Sequence, residues 1–154
     1  MRAAVLLTAI ATLGCASGAR VAPEAGGAPS TSELGVLDTR VGTGARAAAH
    51  QCLSVHYVGM LPDGRRFESS RDTLPNGRTP PPITFELGAG VVMRGWDQGL
   101  VGMRVGGMRR LFVPYRLAYG ANGRPPAIPP RTDLVFDVEL LAAAARTAMG
   151  CESK

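Results

Sequence analysis

The sequence predicts an α+β domain in which a mainly antiparallel sheet packs against one short helix. Three observations carry this expectation. Twenty glycines and 12 prolines in 154 residues place turns at short intervals and leave little room for long helices. From Leu34 onward, apolar runs of strand length alternate with turn residues, as antiparallel strands require. Residues 92–101 alone space their apolar side chains for a helix, through Met93, Trp96, Leu100 and Val101. A chain of this length holds one domain with a core and is too short for two domains and a linker.

Taken in order, residues 1–14 read as an export signal, because Met1 and Arg2 precede a small and apolar run that ends at Gly14 and Cys15. The run is shorter than the about 20 residues that cross a bilayer. Cys15 is expected to become a lipid-modified first residue, although Thr12 and Leu13 depart from the usual residues before such a cysteine. Release after Gly18 or Ala19 is the alternative. Residues 15–33 are small, polar and without period, and read as a flexible linker. The domain is expected over 34–142, followed by a C-terminal tail, 143–154. Within it, residues 51–60 are rich in strand formers, and Pro62, Asp63 and Gly64 preset a reversal that returns through Arg66 and Phe67. Further strands are expected at 83–87, 109–113 and 134–140. The last sets Leu134, Phe136, Val138 and Leu140 on one face and Asp137 and Glu139 on the other. Residues 69–82 and 114–132 have no period. Such long, proline-stiffened loops can wall a site at low entropic cost.

The net charge of +5 comes from arginines scattered along the chain, Lys154 being the one lysine, so no nucleic-acid partner is expected. His50, Cys52 and His56 offer three ligands where structural zinc takes four, and no metal is expected. Gly88 and Gly90 mimic the start of a dinucleotide fingerprint, but Met93 stands at the third glycine position and no parallel βαβ unit surrounds it. No cofactor is expected. The enzyme classes left are those needing no acid, base or metal. Cys52 and Cys151 can form a disulfide in an oxidising compartment, or remain a buried strand residue and a tail thiol; spacing does not decide. With no heptad pattern, a monomer is expected.

The segments VHYVGML at 55–61, GRRFESSRD at 64–72, VMRGW at 92–96, LAYG at 117–120, Ile128 with Pro129 and Pro130, and LVFDVEL at 134–140 resemble, in that order, the motifs of FKBP-type peptidyl-prolyl cis/trans isomerases. The resemblance covers residues 34–142. It implies a twisted antiparallel half-barrel wrapped around the short helix. It also implies an apolar pocket that twists X-Pro amides without covalent, metal or acid-base catalysis, assisting the folding of exported proteins. By position, catalytic roles are implied for Tyr57, Phe67, Glu68, Met93, Trp96, Tyr119 and Phe136, with Trp96 as the floor. Substrate contacts are implied for Val92, Ile128 and Ile83. The Met93 N–H and the Tyr119 hydroxyl are implied to hold substrate carbonyls. Glu68 stands where the family usually has Asp, Met93 replaces a branched aliphatic residue, Ile83 takes the place of an aromatic wall, and Arg124 lies at the rim. The implied partners are proline-containing unfolded or partly folded polypeptides, and macrolides such as tacrolimus or rapamycin. The implied location is the periplasm or cell envelope, with membrane contact through lipid on Cys15. A non-catalytic proline-peptide binding or chaperone module with the same fold is the alternative.

Overall fold

Alternation in the last strand decides where the core lies. Leu134, Phe136, Val138 and Leu140 are buried while Asp137 and Glu139 turn outward, so one face of the sheet is dry and the other meets water. The computed structural model describes residues 32–145 and Cys151. The expected signal, Cys15 and most of the linker lie outside the described residues, as do 146–150 and 152–154.

The strands are β1 (Gly35–Arg40), β2 (Gln51–Met60), β3 (Arg66–Ser69), β4 (Ile83–Glu86), β5 (Met108–Val113) and β6 (Leu134–Ala145), with one α-helix, α1 (Arg94–Gly99). All pairings are antiparallel, in the order β1-β5-β6-β2-β3, and β4 also pairs with β2. The expected α+β architecture is therefore present, as an open six-stranded sheet. One side of β2 is shared by two short strands: β4 pairs with Cys52 to Val55 and β3 with Val58 to Met60. The loop between β3 and β4 leaves the sheet at this break.

The helix lies close against β5 because two glycines face it. A Cβ on Gly95 would stand 2.4 Å from Val113 Cγ1, and one on Gly99 would stand 2.7 Å from Leu111 Cδ2. Both distances are below contact, so a larger residue at either position would have to push the side chains of β5 aside. The helix is shorter than the apolar spacing suggests. Met93 is extended at its N-cap, with φ −59° and ψ 146°, and Leu100 closes the C-cap.

Two further differences from the sequence reading have plain causes. Strand β1 pairs with β5 alone and is mostly exposed, so it carries no alternating apolar face to be read. Strand β6 continues through Ala143 to Ala145, pairing back to Gln51, beyond the expected strand end at Leu140. Alanines give little polarity contrast, so the strand pattern fades before the strand does. The open question about the cysteines is decided as well. Cys52, fully buried in β2, is disulfide-bonded to Cys151 with a Cα separation of 5.7 Å.

Arg109 is a charged residue buried in the sheet, and each of its three nitrogens donates. Its guanidinium forks onto Asp38 at 2.6 and 3.0 Å and donates to the carbonyls of Gly99 and Val101. It thereby ties β1, β5 and the end of α1 together. The hydrogen bond from Arg109 holds the Asp38 carboxyl below its ordinary value of 3.8. A depressed carboxylate adds stability that is full above its unfolded pKa and is lost as pH falls through the folded one. Urea midpoints should therefore drop in acid below about pH 4, and Asp38→Asn should be less stable at neutral pH with a flatter acid limb. An unchanged acid limb in that variant would remove Asp38 from the account.

Candidate active site

The floor of the main concavity is built from strand alternation and one helical residue. Tyr57 on β2, Phe136 on β6 and Trp96 on α1 meet over the centre of the sheet. The Tyr57 and Trp96 rings are 5.0 Å apart and nearly perpendicular, and Trp96 and Phe136 are 5.3 Å apart at 90°. Phe85 of β4 supports the indole from beneath at 5.8 Å. Edge-to-face packing of this kind fixes the rings beyond what burial alone does. Trp96 is 3% exposed, and its indole N–H has no hydrogen-bond partner among the described residues.

Loops supply the walls. Asp97 accepts hydrogen bonds from the Gly88 and Gly90 N–H groups at 2.8 and 3.0 Å, which pins the segment leading to Val91, Val92 and Met93 against the helix. The glycines that mimicked a nucleotide fingerprint thus serve an internal carboxylate. The Met93 carbonyl accepts from Trp96 and Asp97, whereas its N–H has no protein acceptor among the described residues. On the other side, Tyr115–Leu117 form a 3-10 turn, and the Tyr115 N–H donates to Asp133 at 2.8 Å, closing the base of the second long loop. The loop tip is held by reciprocal bonds between Arg124 and Ile128, around a cis Pro125-Pro126 bond. Gly123 has φ +65°, and a Cβ there would stand 2.4 Å from the Pro129 carbonyl, so the tip needs glycine.

These parts enclose a cavity of about 410 Å³, of the size that accepts small ligands. Of the residues expected at the site, Tyr57, Glu68, Ile83, Val92, Met93, Trp96, Tyr119 and Phe136 line it. Phe67 and Ile128 do not. They line an adjoining cavity of about 240 Å³ with Pro125 and Pro126, and the two spaces share Glu68 and Arg124. Ile128 is 1% exposed and belongs to the core, and Phe67 packs edge-on to Phe136 at 5.9 Å. Gly59 permits that contact, since a Cβ there would stand 2.6 Å from Phe67 Cζ. Val91 and Ala118 also line the main cavity. Neither sits at a spacing or in a residue class that sequence reasoning could single out.

A polar rim crosses this apolar bowl. Glu68 Oε2 lies 3.9 Å from Arg124 Nη1, and the Arg124 guanidinium sits 5.9 Å from the centre of the Tyr119 ring. Burial, followed by the charge of Glu68 and a hydrogen bond to it, pushes the Tyr57 hydroxyl far above the usual tyrosine range. Tyr57 therefore keeps its proton at every physiological pH. The two histidines stand apart from the bowl's chemistry. His56 Nδ1 is 3.0 Å from Ser70 Oγ and His50 Nδ1 is 3.3 Å from Glu86, while Cys52 is held in its disulfide, so these three do not converge on a metal. The site offers aromatic walls and a few fixed donors.

The sequence model of the family described as FKBP-type peptidyl-prolyl cis-trans isomerase matches residues 44–141. The chain belongs to that family. It is an FKBP-type isomerase in sequence, and relatives and fold agree. It is 42% identical over 106 residues to an FK506-binding protein of Neisseria meningitidis, covering 69% of this chain and 92% of that one. It is 45% identical over 113 residues to FK506-binding protein 4 of Dictyostelium discoideum, covering 73% of this chain but only 29% of that longer protein. The crystal structure of a peptidyl-prolyl cis-trans isomerase from Pseudomonas syringae superposes with a TM-score of 0.61 at 36% identity, covering 72% of this chain and 75% of that one. The FKBP-type domain thus accounts for both the open sheet over a short helix and the bowl between them.

Proposed function

We propose that this FKBP-type domain catalyses cis/trans exchange of X-Pro bonds in exported polypeptides, with the proline ring seated on Trp96 in the 410 Å³ cavity. The observation that carries the reading is the aromatic bowl itself, dry at its base and open to solvent above. Resonance holds an amide planar behind a barrier of about 18–20 kcal/mol. Uncatalysed X-Pro exchange consequently takes tens to hundreds of seconds. The twisted amide has lost that resonance and is less polar across its C–N bond, so an apolar enclosure favours it over the solvated planar form. Tyr57, Phe136, Val92 and Ile83 form the enclosure. The free Met93 N–H and the Tyr119 hydroxyl hold the flanking carbonyls, fixing one side of the bond while the other turns. Glu68, tied to Tyr57 and facing Arg124, keeps the rim in place. Phe67 and Ile128 act from the adjoining cavity, where the residue beside the proline can rest.

Macrolides such as rapamycin or tacrolimus would occupy the same bowl. The Cys52–Cys151 disulfide supports an oxidising compartment and hence export to the periplasm or cell envelope. There, slow prolyl steps limit folding. Anchoring through lipid on Cys15 completes this reading, and Cys15→Ala should then release the protein from membranes.

The decisive experiment times exchange in a short X-Pro peptide with wild type and Tyr119→Phe. Acceleration by wild type, blocked by rapamycin and reduced by about tenfold on loss of one charge-free hydrogen bond near 1.4 kcal/mol, is expected. A folded protein that binds the peptide without accelerating it would leave a non-catalytic proline-peptide module as the better account.

A further inference from the structure

Around the end of β1 the fold gathers positive charge that prolyl chemistry does not use. Arg40, Arg46, Arg104 and Arg109 line a cavity of about 100 Å³ together with a single carboxylate, Asp38. Both Asp38 oxygens are already taken by Arg109. Arg40 gives Nε to the Gly106 carbonyl and Nη2 to Glu139, leaving its other terminal nitrogen without a partner among the described residues. Arg104 spends one nitrogen on the Gly44 carbonyl at 3.1 Å. The Arg46 guanidinium has no hydrogen bond or ion pair among the described residues.

Backbone pairing makes this arrangement costly as it stands. An isolated antiparallel bridge places Arg46 directly opposite Arg104, and like charges so placed destabilise each other. An anion between them would reverse the sign of that interaction. The cavity limits what the anion can be. Water occupies about 30 Å³ in the liquid, so this space holds a few waters or one small oxyanion group, and anything attached to that group would lie outside it. Guanidinium forks match carboxylate and phosphate alike. A phosphate group, however, presents three acceptor oxygens, enough to serve Arg46, Arg104 and Arg40 together, whereas a carboxylate has two.

We propose that this cavity is a phosphate-binding site formed by Arg46 and Arg104, with Arg40 as third donor, separate from the prolyl pocket. The phosphate can be inorganic or a terminal phosphomonoester, such as the headgroup of phosphatidic acid. The test compares melting of the full chain in sodium phosphate and in sodium chloride at equal ionic strength. Wild type should melt progressively higher as phosphate rises, as linkage to a native-state ligand requires. Arg46→Ala and Arg104→Gln should bind phosphate about tenfold more weakly by titration calorimetry, through the loss of charge-assisted hydrogen bonds. In chloride, Arg46→Ala should melt no lower than wild type, because it relieves the opposed charges, and its prolyl isomerase rate should be unchanged. Co-sedimentation with phosphatidylcholine vesicles, with and without phosphatidic acid, separates the sources. Vesicle binding that needs phosphatidic acid and Arg46 assigns the headgroup; a phosphate response without vesicle binding assigns the free ion. Equal phosphate responses in wild type and both variants, or a response that chloride reproduces, would overturn the site.

Discussion

Trp96→Ala should lose about 3–5 kcal/mol of stability, the range for removing a buried aromatic side chain. Its residual isomerase activity should fall by at least roughly tenfold in kcat/KM, since about 1.4 kcal/mol of transition-state contact is one decade. The argument rests on the indole's double position. It is 3% exposed and packs on Tyr57, Phe85 and Phe136, so its removal opens a void in the core. The same ring forms the base on which a proline would sit. Trp96→Phe separates the two roles. It keeps an apolar floor and removes an indole N–H that has no partner among the described residues; an unsatisfied buried donor costs about 1–3 kcal/mol. The phenylalanine variant should therefore be destabilised less than the alanine variant and keep more activity. Urea unfolding paired with the peptide exchange assay reads both effects. Full activity in a folded Trp96→Ala protein would remove the indole from the site.

Loss of the Cys52–Cys151 disulfide should cost up to about 4.7 kcal/mol, the chain-entropy value for a loop near 100 residues. The bonded residues are 99 apart in sequence, so the bridge restrains nearly the whole domain in the unfolded state. Against a typical total of about 5–15 kcal/mol this is a large share. Cys151→Ser should lower the urea midpoint strongly, and reductant should do the same to wild type while leaving the variant unmoved. Activity of the folded fraction should persist, because Tyr57, Glu68 and Trp96 take no part in the bridge. Equal midpoints with and without reductant would make the bridge energetically idle.

Much of this architecture could be read from residues alone, and the failures have physical causes. Strand β6 was legible because Leu134, Phe136, Val138 and Leu140 alternate against Asp137 and Glu139, and the structure buries that face. Strand β1 was not, because an edge strand with one neighbour and an exposed surface imposes no such pattern. The helix was placed correctly and drawn too long, since Met93 has the spacing of a helical residue but the backbone of a cap. At the site, aromatic residues could be matched to motifs. Their division between two cavities could not, because it depends on how the loop carrying Pro125 and Pro126 folds back over Glu68. The cysteine pairing was equally out of reach, since it joins a strand to a tail through space.

The glycine seam between α1 and β5 sets how the catalyst can fail. A six-residue helix has almost no stability of its own, and here it is held by contact at Gly95 and Gly99 with Val113 and Leu111. The helix cannot melt alone without exposing the strand beneath it, nor can the strand open while the helix stays. Both should exchange their amide hydrogens at the rate of global unfolding, as one cooperative unit. Trp96 is the chain's one tryptophan and rides on that helix, so its fluorescence reports the pocket and the whole fold at once. A population of molecules that are folded but lack a binding bowl should therefore be absent from a denaturation curve.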